Sequence, residues 1–297
     1  MASTEFPMAS APGLTRPASA RARMPIDIRL ALGFLVLVVV VALLADQLAP
    51  YDYAAQNLAK RLRPPALLGG DWVNPLGTDN LGRDVLSRLI YGVRTSILIA
   101  LGGTLIGAVV GTLLGLIAAC FRGSVDEAIM MLVDVQAAVP YIIVALAFLA
   151  FFGNALLLFV VLVGLEGWER YARLTRGLVL AAEEAGYVGA VGALGASTLR
   201  LYGRHILPNI SAALVVQATI NFPGTILLET SLSFLGLGVQ PPMTSLGLML
   251  GQGRNFLLQA WWIAIIPGVT IFLTTLSMSL FGDWLRDRLD PTLDGRG

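Results

Sequence analysis

TSILIALGGTLIGAVVGTLLGLIAACF, running from Thr95 to Phe121, contains no charged residue. About 20 mainly apolar residues in a helix cross roughly 30 Å of hydrocarbon, so the stretch predicts a membrane span. Gly107, Gly111 and Gly115 recur every fourth residue within it. Residues four apart share a helix face, and a stripe of small residues lets helix backbones approach closely in lipid. This glycine face points to packing inside a helical bundle rather than to a ligand site.

The rest of the chain agrees with a membrane setting. Its 297 residues have a mean hydropathy of +0.77, and only 13% are charged, against about 25% in soluble domains. A net charge of +1 gives no bulk attraction for nucleic acid or acidic partners. The single cysteine, Cys120, excludes an internal disulfide, and one histidine, His205, excludes a His-rich metal site. The only lysine, Lys60, does not follow a glycine loop, so the chain has no P-loop with which to bind ATP. No metal site or other cofactor is expected on this chain.

Working outward from the opening stretch, the apolar runs predict six spans. The first covers residues 29–50, behind Arg16, Arg21, Arg23 and Arg29. A cleaved signal peptide is the rival reading, but the apolar core is long and Asp46 follows it without a clean cleavage site. Thr95–Phe121 is the second span, and the third and fourth are expected at about 128–150 and 155–171. A turn at Phe151-Phe152-Gly153-Asn154 separates those two. The fifth is expected at about 209–229 and the sixth at about 258–282. The glycine- and proline-rich run Thr230–Gly253 reads as an irregular, re-entrant or interfacial loop. With both termini on the cytoplasmic side, thirteen Arg and Lys residues fall inside and seven outside. That bias supports an N-in, C-in topology.

The segment between the fourth and fifth spans is then cytoplasmic. It includes YVGAVGALGASTLRLYGRHILPN, Tyr187 to Asn209. Gly189, Gly192 and Gly195 recur every third residue, followed by Ala196 and Ser197. On a helix they form a smooth face onto which another protein can pack. Arg200 and Arg204 stand one turn apart and suit lipid phosphates or a partner's carboxylates. An interfacial anchoring helix is the plainer alternative. However, three glycines cost such a helix about 1 kcal/mol each relative to alanine.

This stretch resembles the cytoplasmic coupling loop of binding-protein-dependent ABC importer permeases. That pattern reads Glu-Ala-Ala, three residues, Gly, nine residues, Ile, one residue, Leu-Pro. Here Gly189-Ala190-Val191, Gly195, His205 and Leu207-Pro208 hold those places, with Gly for the Glu and His for the Ile. Glu183 or Glu184, just upstream, is available to replace the missing carboxylate.

Four further stretches look like the dipeptide/oligopeptide/nickel branch of that family. They are NPLGTDNLGRDVLSRLIYGVRTSI (Asn74–Ile97), GWERYARLTRGLVL (Gly167–Leu180), LSFLGLGVQPPMTSLGLML (Leu232–Leu250) and FGDWLRDRLDPTL (Phe281–Leu293). Within the branch, the long loop after the first span is similar to the C-type subunit.

The resemblance implies an all-α membrane protein with the type I importer (MetI-like) permease fold, in a bacterial inner membrane. It also implies a B-type permease as heterodimer partner, two cytoplasmic ATPase subunits or domains carrying ATP and magnesium, and an external substrate-binding protein. The chain itself would conduct substrate without catalysing a reaction. Peptides are the expected cargo, with nickel, glutathione, haem or antimicrobial peptides as alternatives within the same architecture. The expected layout is a disordered cytoplasmic tail at 1–28, the first helix at 29–50, an extracytoplasmic segment at 51–93, a five-helix core at 94–285 with its coupling loop at about 173–208, and a cytoplasmic tail at 286–297.

Other polar residues carry two readings each. Asp126 and Asp134 share a face of the third span, and serve either function or a structural pair with Arg122 or a neighbouring helix. Pro140 is expected to kink that span, near a gate. Glu229, at the outer end of the fifth span, is expected to cap or pair there, with substrate contact as the alternative. Thr78, Asp79, Gly82, Arg83 and Asp84 either dock the binding protein or fold the outer segment onto the bundle, and Tyr51–Trp72 is a second docking candidate.

Two rivals come from other classes. A self-contained secondary transporter should show inverted repeats, and no such repeat is visible. A membrane-embedded enzyme is opposed by the absence of metal-ligand spacing.

Overall fold

The structure is a computed structural model that describes residues 24–184 and 197–289. The described residues form helices and turns with no β-strand. In chain order the helices are α1 (Ile26–Leu43), α2 (Ala45–Leu48), α3 (Val85–Phe121), α4 (Gly123–Ala138), α5 (Tyr141–Phe152), α6 (Leu156–Gly164), α7 (Trp168–Glu184), α8 (Thr198–Leu201), α9 (Leu207–Phe234), α10 (Leu246–Gly253) and α11 (Trp262–Leu289). The expectations for residues 1–23, 185–196 and 290–297 lie outside the described residues.

Among the described residues, four helices are long and apolar enough to cross a membrane: α1, α3, the helix running through Tyr202–Phe234, and α11. A fifth span exists if α4 and α5, bent by 88° at their junction, count as one. The expected third span is therefore broken rather than merely kinked. Pro140 has no N–H to continue the α4 ladder, and Val139 before it is forced into extended backbone. The expected fourth span is also divided. Gly153 takes a φ of +83° and starts the turn foreseen there, but Gly167, at +82°, stops the helix again after only the 9 residues of α6. The run Thr230–Gly253 is more regular than expected: α9 continues to Phe234, and Ser245 caps α10 by accepting from the Leu248 N–H at 3.2 Å.

α3 begins ten residues before the apolar run that predicted it. Asp84 caps it, accepting from the Ser87 N–H at 2.7 Å. At 1.5 Å per residue its 37 residues span about 55 Å. Its first turns therefore stand beyond the roughly 30 Å apolar slab, in a polar layer built by residues 51–84. α1 packs beside α3 and α11 through Val38, Ala42, Val93, Ile97 and Ile271. Asp46, just past α1, accepts from the Tyr91 hydroxyl at 2.8 Å and pairs with Arg94 at 3.1 Å. These contacts, the Tyr91 hydrogen bond first, hold the Asp46 carboxyl below its usual range. A depressed carboxylate stabilises the fold above its unfolded pKa and loses that contribution only as the pH falls through the folded value. The tie therefore remains formed at neutral pH.

The glycine face of α3 is where the bundle closes. A Cβ on Gly107 would stand 2.9 Å from the Gly164 carbonyl, one on Gly111 2.2 Å from the Trp168 carbonyl, and one on Gly115 2.5 Å from the Ala172 carbonyl. Gly103 joins the stripe against Val163. The broken α6–α7 pair thus lies backbone to backbone along α3. Gly102, on the opposite side, has nothing within 4 Å of such a Cβ.

Gly111→Leu should prise α7 from α3, at about 1–3 kcal/mol or more, whereas Gly102→Leu should be tolerated. The thermal midpoint of each purified variant in detergent checks this. Equal midpoints would remove the packing argument.

Candidate functional site

The coupling motif enters and leaves the bundle between α7 and α9. Gly189, Ala190, Val191, Gly192, Gly195 and Ala196 lie outside the described residues. The described part begins at Ser197, whose hydroxyl accepts from the Arg200 N–H at 3.4 Å and starts α8. Arg200, Arg204 and Pro208 are exposed, and His205 and Leu207 are half-buried. Between α8 and α9 the backbone widens into a π-turn over Tyr202–Ile206, closed by the Leu207 N–H on the Tyr202 carbonyl. Pro208 explains the widening, because it can donate no hydrogen bond to the preceding turn and its ring crowds that turn's carbonyl. Ile206 is fully buried against Ala119, Val179, Ala182 and Ile210 and anchors this foot of the loop.

Both feet of the loop meet at Glu183. Its Oε2 pairs with Arg122 at 2.5 Å, and its Oε1 accepts from the Tyr202 hydroxyl. Glu183 is thereby turned into the bundle and is not free to stand in for the missing carboxylate of the motif. Glu184 is exposed. Arg122 takes a left-handed φ of +49°, an unusual backbone for a residue with a Cβ, at the sharp turn from α3 into α4.

The same seam continues along α4. Asp126 accepts from Arg176 at both nitrogens, 2.5 and 2.6 Å, and Asp134 accepts from Arg173 at 2.9 Å. Of the two pairings foreseen for these aspartates, the geometry supplies the neighbouring helix α7 and not Arg122. Three ion pairs therefore join α7, the helix leading into the coupling loop, to α4 and its first turn. α4 ends at the Pro140 break.

That break faces the break at Gly167. Gln136 donates to the Leu165 carbonyl at 3.5 Å, and the Tyr141 hydroxyl donates to the Leu162 carbonyl at 2.6 Å. From the other side Asn221 of α9 donates to the Gly167 carbonyl at 3.5 Å and accepts from Arg170 at 3.0 Å.

Two expected site groups sit deeper than a docking or gating role suggests. Glu229 is 0% exposed. It accepts from the hydroxyls of Ser96 at 3.0 Å, Ser233 at 2.9 Å and Thr230 at 3.5 Å. Among the described residues it neither caps a helix nor pairs with a cation, and instead ties α3 to α9. Ser96 in turn accepts from the Leu246 N–H of α10 at 3.1 Å. Thr78, Asp79, Arg83 and Asp84 are all buried. Asp79 pairs with Arg83 at 2.6 Å and Arg88 at 2.5 Å, Arg88 reaches Gln252 at 2.8 Å, and the Trp262 indole donates to the Thr78 carbonyl at 3.2 Å. Gly82, at φ +71°, packs onto Asn57. This cluster fits the folding alternative, since its side chains present little surface to a partner. Exposed apolar groups in the polar layer include Leu58 and the run Leu67, Leu68, Trp72 and Val73 instead.

The partners of the aspartates were not found from sequence. Arg170, Arg173 and Arg176 entered only as topology charges, yet their three-residue spacing already placed them on one side of a helix.

Comparison with known proteins agrees with this architecture. The family described as "Binding-protein-dependent transport system inner membrane component" matches residues 111–295. The chain belongs to that family. The "N-terminal TM domain of oligopeptide transport permease C" matches residues 29–65. The chain is 44% identical over 261 residues to the di/tripeptide transport system permease protein DppC of Pseudomonas aeruginosa, covering 88% of this chain and 86% of that one. It is 41% identical over 263 residues to the dipeptide transport system permease protein DppC of Escherichia coli, covering 88% of each. Two solved structures share the fold: the MetNI methionine ABC transporter in inward-facing conformations (TM-score 0.54, 17% identity, 67% of this chain and 97% of that chain), and an amino acid ABC transporter with histidines (TM-score 0.51, 16% identity, 69% and 95%). This family member is a multi-pass inner-membrane permease subunit, with no catalytic role of its own.

The Asp126–Arg176 pair is two-pronged and partly shielded, whereas Asp134 is 73% exposed. Arg176→Gln should therefore destabilise the α4–α7 seam by about 1 kcal/mol, and Arg173→Gln by less than half of that. Thermal midpoints of the purified variants at low salt would show the order, and the reverse order would count against the seam.

Proposed function

We propose that this chain is the C-type permease of an ATP-driven importer that moves short peptides into the bacterial cytoplasm. The observation that carries the reading is the 44% identity over most of both chains to a di/tripeptide permease. The seam that connects the flanks of the coupling motif to the helix breaks supports it.

In this reading α1, α3, α4 with α5, α6 with α7, α9 and α11 form six spans, with both termini in the cytoplasm. Residues 51–93 are then extracytoplasmic, and the exposed apolar side chains of Leu67, Leu68, Trp72 and Val73 are where an external binding protein docks. A B-type permease completes the path, and of the complex's two ATPases one receives, in a groove, the face formed by Gly189, Ala190, Val191, Gly192, Gly195, Ala196 and Ser197. Arg200 sits beside that face. ATP and magnesium belong to the ATPases and supply the closing force. This chain's part is mechanical. Displacement of the coupling loop pulls on Glu183, Arg176 and Arg173, and α4 moves with α7 as far as Pro140. A bound substrate biases the cycle only through its different affinity for the inward and outward states.

A mild-detergent pull-down of the tagged chain, read by mass spectrometry, should recover a second permease and P-loop ATPases. Recovery of the chain alone would sink the reading. Gly195→Glu should leave that assembly intact but lower binding-protein-stimulated ATP hydrolysis by an order of magnitude, because a buried charge blocks the groove contact. Undiminished stimulation would place the ATPase contact elsewhere.

A further inference from the structure

The facing breaks at Pro140 and Gly167 hold two acidic side chains that share one cation. Glu166 lies in the α6–α7 break, and Glu169 in the first turn of α7. Arg170 is the cation at both: its guanidinium is 3.4 Å from Glu166 Oε1 and 3.5 Å from Glu169 Oε1. It also hydrogen-bonds Asn221, and half of its side chain is exposed. The Oε2 atoms of both glutamates are buried and have no hydrogen-bond partner among the described residues, although Glu169 as a whole is only 8% exposed. The hydroxyl of Tyr171, a residue 0% exposed, is likewise without a partner and lies within electrostatic reach of Glu166. A Cβ at Gly224 of α9 would stand 3.9 Å from both carboxylate oxygens of Glu166, so Gly224 places no side chain against them.

A buried carboxylate oxygen without a donor is costly, and such a group in a native structure calls for an occupant. Two carboxyl groups share one guanidinium, and one oxygen of each is left without a donor. The complement is a compact cation with several N–H donors. A primary ammonium has three, enough to reach both free oxygens. Broken helices that present polar groups at membrane depth are suited to line a substrate site. We propose that Glu166 and Glu169 form a cation site that receives the α-ammonium of a peptide in transit. This assignment rests on the peptide-import reading above.

The test uses the complete complex with its binding protein in proteoliposomes, and trialanine as the probe. Glu166→Gln, Glu169→Gln and the double substitution keep side-chain shape and remove charge. The double variant should assemble normally and import trialanine at least about tenfold more slowly. In detergent, without the binding protein, the wild-type complex should bind trialanine more tightly than N-acetyltrialanine, and the double variant should lose that preference. Normal import by the double variant, or wild-type binding that ignores acetylation, overturns the site. Loss of assembly together with import also overturns it, since the oxygens would then be partnered by a neighbouring subunit. Wild-type complex that imports no trialanine overturns the peptide reading itself and the assignment with it.

Discussion

Everything in the bundle hangs on how closely α3 approaches the α6–α7 pair. Carbonyls of Gly164, Trp168 and Ala172 sit where side chains of Gly107, Gly111 and Gly115 would otherwise stand. In lipid, helices gain nothing from hiding apolar surface from one another, so dispersion contacts and direct backbone approach must hold them. The approach also fixes geometry. It holds the Gly167 break beside α3 and sets the direction in which α7 leaves for the coupling loop. α7 then presents Arg173 and Arg176 to α4 rather than to α3.

The seam between α4 and α7 is polar where the α3 contact is apolar. Exposed ion pairs contribute little individually, and the pairs here range from shielded to open. Their value lies in arrangement: Arg122, Asp126 and Asp134 meet Glu183, Arg176 and Arg173 in antiparallel order. A helix tied at three places along its length follows its neighbour as a rigid body. The ion-pair tie ends at Pro140, where the helix ladder is interrupted. In the importer reading this is how a push at the loop becomes a change of angle at the break.

Much of this was legible in the sequence. The glycine period, the Pro140 interruption and the turn at Gly153 all follow from local backbone chemistry. What escaped was non-local. Asp126 and Arg176 are 50 residues apart, and Asp134 and Arg173 are 39 apart, so no local pattern pairs them. For the Thr78–Asp84 cluster the sequence left docking and folding open, and for Glu229 it named no partner, because the neighbours that bury both come from distant segments. Gly167 was passed over because apolar residues precede it and an amphipathic helix follows. Its left-handed φ is set by Asn221, more than fifty residues away, which occupies the space a side chain would need.

The two breaks explain each other. Interrupting a helix within the bundle orphans carbonyls that water cannot reach, and each must find a donor in protein. Gln136 and Tyr141, on either side of Pro140, donate to the carbonyls of Leu165 and Leu162 at the end of α6. Straightening α4–α5 would withdraw those donors and leave α6 unsatisfied. Straightening α6–α7 would bury the donors without acceptors. The breaks therefore persist or rearrange together.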